Sequence, residues 1–180
     1  CVIKVNLTAQ SYEWGVGFGS SLDEDAQYAC YSNNRLNLYG TFDGPSIDLD
    51  PGVGTDNHPQ PMPHSCTFIN QLDAAGNQTN GFVLGAPYMY GMAADPQGNV
   101  YLLAECNDAE MIDMDPGPAT HNLNVANSYP MAVAKYDNGL NYLWSRSITG
   151  NLGNHDVRTI AATDSYVSVS GYNFNELYLS

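Results

Sequence analysis

Basic residues are scarce in this chain. Lysine and arginine together number 5 among 180 residues, against 19 aspartates and glutamates, for a formal charge of −14. Nucleic-acid binding depends on neutralising phosphates with Lys and Arg, so no nucleic-acid partner is expected, nor an anionic membrane surface. No apolar run approaches the roughly 20 residues of a membrane-spanning helix. No segment sustains helical periodicity. The four cysteines include no Cys-x-x-Cys, which removes the usual zinc and redox spacings. Also missing are a Gly-x-Ser-x-Gly elbow, a His-Glu-x-x-His helix and a phosphate loop. An acidic surface of this kind repels anions, attracts cations and favours solubility.

Internal similarity is present instead. Ile47-Asp48-Leu49-Asp50-Pro51-Gly52 returns as Ile112-Asp113-Met114-Asp115-Pro116-Gly117, an offset of 65 residues. The flanks return too. Arg35–Gly40 falls on Asn99–Ala104 and, more loosely, on Tyr166–Gly171; Phe68–Asp73 falls on Ala132–Asp137. The opening Val2–Asn6 is another copy of that last segment. Fixed-period similarity of this kind points to tandem structural units.

Each unit holds four short runs rich in Val, Ile, Leu, Tyr and Phe, a strand signal. The runs, called A to D, are expected as follows. A lies near 27–32, 89–95 and 157–163, and B near 36–42, 100–106 and 166–172. C lies near 2–6, 67–73 and 131–137, and D near 11–16, 78–84 and 141–148. Asp95-Pro-Gln-Gly-Asn, Asp73-Ala-Ala-Gly-Asn and Asp137-Asn-Gly separate pairs of runs. Gly and Asn there supply the positive φ of tight hairpins. Asn34 takes the place of Gly98 in the earlier copy.

Four antiparallel strands per unit predict an all-β fold of β-propeller blades. The small Ala29, Ala93 and Ala161 of run A suit a crowded centre. The arrangement resembles the bacterial seven-bladed propeller repeats of large secreted surface proteins. The likeness is carried by Asp95-Pro-Gln-Gly-Asn-Val-Tyr, by Asp-x-Asp-Pro-Gly, and by Ala134-Lys-Tyr-Asp running to Trp144. The first unit departs from it at Tyr31-Ser32-Asn33-Asn34, and Asn80 or Phe82 stands where a tryptophan belongs. The resemblance implies export to the cell surface, often by type IX secretion, and a scaffold that displays its loops.

The segments count as a partial propeller of roughly three blades: 1–22 ends one blade, 23–87 and 88–152 are whole blades, and 153–180 starts another. Three blades leave two open edges. A fragment of a longer protein is therefore expected, stopping in or near another run C. The alternative makes Cys1 the lipidated first residue of a mature lipoprotein.

Several residues are candidates for chemistry. Alternation puts Asp48 and Asp50 on one side of their segment, and Asp113 and Asp115 on one side of theirs. Calcium binding needs six to eight converging oxygens, which Asp43, Asp108 and Glu110 could extend. The competing reading is a turn in which each Asp accepts local N–H bonds. Cys66 and Cys106 are a candidate disulfide, which would require an oxidising compartment. Cys30 reads as a small buried core residue. His58, His64, His121 and His155 read as solvated loop residues. Trp14 and Trp144 read as packing between blades. The expected function is a non-enzymatic extracellular or cell-surface module whose partner is a protein, a glycan or the remainder of its own propeller. Its rivals are a secreted carbohydrate-active enzyme with two convergent carboxylates and a calcium-stabilised adhesin repeat.

Overall fold

The structure, a computed structural model, describes residues 1–61, 66–85, 88–105, 113–121, 123, 131–150, 157–171 and 177–179. Every regular element among them is a strand. In chain order these are β1 (Val2–Asn6), β2 (Ser11–Val16), β3 (Glu24–Ser32), β4 (Arg35–Phe42), β5 (Ser46–Asp48) and β6 (Asn57–Pro59). Then come β7 (Cys66–Asp73), β8 (Gln78–Leu84), β9 (Tyr88–Ala94), β10 (Val100–Glu105) and β11 (Met131–Tyr136). The last are β12 (Tyr142–Gly150), β13 (Val157–Ala162), β14 (Val167–Gly171) and β15 (Leu177–Leu179).

The strands pair antiparallel into several small sheets. One has the order β3-β4-β7-β8, and a second β9-β10-β11-β12 with β15 outside β12. β1-β2, β5-β6 and β13-β14 are separate pairs. The two larger sheets share register at aligned positions: Leu36 faces Leu72 as Val100 faces Tyr136, and Leu38 faces Asn70 as Leu102 faces Ala134.

Turn chemistry explains why the chain reverses where it does. Asp73, Asp95 and Asp137 each accept, on Oδ1, the backbone N–H of the Asn four residues on, at 3.0, 2.9 and 2.9 Å. The same Asn side chains, of Asn77, Asn99 and Asn141, donate back to those carboxylates. The residue before each Asn is left-handed: Gly76 at φ +88°, Gly98 at +87° and Leu140 at +61°. The β3–β4 hairpin closes differently. Asn33 and Asn34 are both left-handed, at φ +48° and +59°, a two-residue turn whose twist matches paired strands. Asn34 does the work of Gly98, as the sequence implied.

Both larger sheets bury both faces. Tyr39, Ile69, Phe82 and Leu84 of the first pack on Val100, Leu102, Ala134 and Tyr136 of the second. The opposite face of the second sheet puts Tyr101, Leu103, Val133 and Ile148 against Ile160, with Val167 and Val169 beside them. A third cluster joins Phe42, Ile47, Leu49, Cys66 and Phe68 with Phe18. Two apolar faces explain the unbroken run Val100–Ala104, every residue of which is buried. Each large side chain so buried contributes about 1.5–3 kcal/mol.

Four expectations change. β15 does not start a run C beside β14 but pairs along β12, whose outer edge offers unpaired backbone groups. Residues 57–59 are a strand, so His58 sits in a hairpin opposite Ile47, half-buried, rather than in a solvated loop. Three-residue strands beside prolines carry too little alternation to be read in advance. Ala29 and Ala161 are exposed, not crowded. Cys30 is half-buried at the edge of the first core cluster; burial still pushes its thiol up to about 12, leaving it protonated and unreactive near neutral pH.

Candidate functional site

The two Asp-x-Asp-Pro-Gly segments fold alike. Asp48 Oδ1 accepts the N–H groups of Asp50 at 3.1 Å and Asp56 at 2.8 Å. Asp113 Oδ1 accepts those of Asp115 at 3.0 Å and His121 at 3.1 Å. One step on, Asp50 Oδ1 holds Gly52 N–H at 2.7 Å and Asp115 Oδ1 holds Gly117 N–H at 2.8 Å. Each loop is therefore two nested turns closed by carboxylates, with an eight-residue return. The residue between the aspartates is fully buried in both, as Leu49 and Met114. Its carbonyl is met by a buried side chain: Asn70 Nδ2 donates to Leu49 O at 2.8 Å, and the Tyr136 hydroxyl donates to Met114 O at 2.6 Å.

The supports differ. The first loop is pinned by β5–β6 and by a two-way backbone bridge between Gly19 and Asp48, at 3.1 and 3.0 Å. Beyond it, Asp56 Oδ2 accepts Gln78 Nε2 at 2.6 Å. His58 Nε2 lies 3.0 Å from the same oxygen, too oblique for a hydrogen bond. The second loop is capped by His121, stacked on Tyr142 with ring centroids 4.9 Å apart. His121 Nε2 lies 3.6 Å from Asp115 Oδ2.

The turn reading of the four aspartates thus accounts for one oxygen of each. Among the described residues, no three His, Cys, Asp or Glu side chains converge at metal distance. Cys106, Asp108, Glu110, His64 and His155 lie outside the described residues, and with Cys106 so does the candidate Cys66–Cys106 bridge.

A cleft of about 500 Å³ runs between β8 and the second loop. Asn80, Phe82 and His58 line one wall; Asp115, Pro116 and Tyr142 line the other. Its polar groups are partly committed. Asn80 Nδ2 donates to Gly139 O and Asn80 Oδ1 accepts from Gly81 N–H. The Tyr142 hydroxyl pairs with Ser145 Oγ at 2.7 Å. Asp115 Oδ2 is turned to His121 at long range, and is the acceptor left for a ligand. Asp115 is the one carboxylate among the described lining residues. The chain matches no protein-family model, no curated protein and no solved structure. The site is accordingly read from its own geometry.

Electrostatics at the turns follow burial. Asp95 is fully buried. Burial opposes its charge, but bonds from Asn99 and Tyr101, with Lys135 nearby, outweigh it and hold the carboxyl below its ordinary value. At Asp137, burial is likewise outweighed by Asn141 and the Gly139 N–H. Asp73, far more open, is lowered chiefly by the Asn77 side chain. Sequence reasoning named the Asp loops but not the cleft wall. Asn80 and Phe82 come from the preceding unit's outer strand, 35 and 33 residues before Asp115 in sequence, and no local motif marks that pairing.

Proposed function

We propose that this chain is a non-enzymatic scaffold of four-stranded β-propeller blades, acting outside the cell or at its surface, that offers its long loops to a glycan or protein partner. The cleft between β8 and the Asp115 loop carries the reading: it is formed by two successive units, so presenting it requires the units to be stacked. Sequential strand order in both larger sheets, and turn-on-sheet docking between them, support the blade assignment. The acidic, lysine-poor composition and the resemblance to secreted propeller repeats support the location.

The ligand favoured is a neutral glycan. Tyr142 and Phe82 supply flat apolar surface, and Asp115 supplies an acceptor for sugar hydroxyls. A screen of immobilised neutral oligosaccharides against the whole chain tests this. Binding is expected, and Tyr142→Ala should weaken it about tenfold or more. No binding to any glycan, with capture of a polypeptide ligand through the same residues, would move the reading to a protein partner. Release of shortened sugars would replace it with the enzyme reading. Calcium is tested separately: a rise in melting temperature with Ca²⁺, lost in Asp113→Asn, would restore the adhesin reading.

A further inference from the structure

Neighbouring units dock in this fold by seating a hairpin turn on a cross-strand pair. The turn after β7 gives its Ala74 carbonyl to Lys4 Nζ at 3.0 Å and Trp14 Nε1 at 3.1 Å. Lys4 and Trp14 face each other across β1 and β2. The turn after β11 is seated likewise. Gln71 Nε2 reaches the Asn138 carbonyl at 3.1 Å and Asn80 Nδ2 reaches that of Gly139 at 2.5 Å. Gln71 and Asn80 face each other across β7 and β8.

A third pair of this kind exists. Lys135 and Trp144 face each other across β11 and β12, with the residue types of the first pair. No turn is seated there among the described residues. Trp144 Nε1 has no acceptor, and Lys135 Nζ rests 3.9 Å from Asp95 and 5.0 Å over the Tyr101 ring. Nearby, β14 pairs with β13 alone, whereas its counterparts β4 and β10 each have a second neighbour, β7 and β11. β15 lies on β12 and leaves the β14 edge clear.

The β1–β2 pair carries the complementary half. Ile3, Val5 and Tyr12 are 61%, 52% and 65% exposed. The positions aligned with Ile3 and Val5 in the larger sheets, Asn70 and Leu72, then Ala134 and Tyr136, are buried. β1 pairs only with β2, so its other edge is open as well.

We propose that the β1–β2 hairpin of a second copy of this chain docks along β14, completes a four-stranded antiparallel sheet, and seats its Asn6–Ser11 turn on Lys135 and Trp144. Carrying over the register of Val100 with Tyr136 and Leu102 with Ala134 sets Val5 opposite Val167 and Ile3 opposite Val169. Ile3 and Val5 then extend the apolar face that Val167 and Val169 already present to the second sheet. The Leu7 carbonyl falls where Ala74 does on Lys4 and Trp14. Such a contact joins two different surfaces, so the copies close into a ring or propagate. The cleft beside Asp115 plays no part in it, and a chain that binds no glycan still tests it.

Sedimentation velocity of the whole chain, from micromolar to millimolar, provides the test. Reversible association is expected, weakened about tenfold or more by Val5→Asp and by Tyr12→Ser, each of which changes an exposed side chain. Val53→Asp removes an apolar side chain of 109% exposure outside the contact and should leave association unchanged. Circular dichroism separates lost association from lost folding. A monomer throughout overturns the proposal. So does association that survives both substitutions on β1–β2, or that falls equally with Val53→Asp, the mark of general apolar adhesion.

Discussion

The two larger sheets reach the same backbone arrangement with different side chains. Leu49 O is met by an amide and Met114 O by a phenol. The β3–β4 reversal uses two left-handed asparagines, while β9–β10 uses a carboxylate and a glycine. One turn carbonyl is held by Lys and Trp, and the turn seated on the next pair is held by Gln and Asn. Carbonyls and turn dihedrals persist between the sheets, and the side chains that serve them do not. Backbone acceptors must be satisfied once buried, whereas many donors can satisfy them.

The sharpest way to break this comparison is at the turn aspartates. Asp95 is buried and accepts bonds from Asn99 and from the Tyr101 hydroxyl; Asp73 closes the same turn in the open. Asp95→Ala should lower unfolding free energy by about 3 kcal/mol, and Asp73→Ala by about 1 kcal/mol. Urea titration at neutral pH measures both, and equal losses would show that burial is irrelevant to these turns. Acid sharpens the same point. Asp73, Asp95 and Asp137 all titrate below their ordinary value of 3.8. Their contribution is complete above that value and drains away as pH falls through the lower folded values. In Asp95→Ala the acid limb of the stability curve should therefore flatten.

A smaller effect is expected at the buried carbonyls. Tyr136→Phe strips the donor from Met114 O and should reduce stability by about 2 kcal/mol. Asn70→Leu strips the donor from Leu49 O, but it also removes an amide oxygen that is buried without a partner. About 1 kcal/mol is expected there, and a larger loss than at Tyr136 would reverse the comparison. The smallest contrast lies at the left-handed turn residues. A Cβ on Gly98 would strike the Asn138 side chain and sit 3.0 Å from Asn33 Cβ, at φ +87°. Gly98→Ala should lose about 1–1.5 kcal/mol, and Asn34→Gly less than about 0.5 kcal/mol. Thermal unfolding of both variants checks the pair.

Most strands were legible because turn signals and alternation are local. β1, β2 and β8 fall on the residues expected, and the Asp…Asn closures follow from composition at fixed offsets. The aspartates of the loops were legible as a recurring motif, and their nested turns follow from Asx chemistry. What was not legible depends on distance through space. β6 is held by its partner β5, not by its own pattern. β15 is placed by the open edge of β12. The cleft needs Phe82 and Tyr142 to meet, which no periodicity records.

Seating a unit through main-chain carbonyls has an evolutionary consequence. The Ala74 carbonyl that Lys4 and Trp14 grip is carried by every amino acid, so no single substitution in that turn can delete it. Only a change in loop length or in the left-handed dihedral at Gly76 would move it. The gripping side also tolerates exchange, as Gln71 and Asn80 show. Units joined in this way can drift far apart in sequence while still assembling, so shared ancestry fades from the residues well before it fades from the spacing.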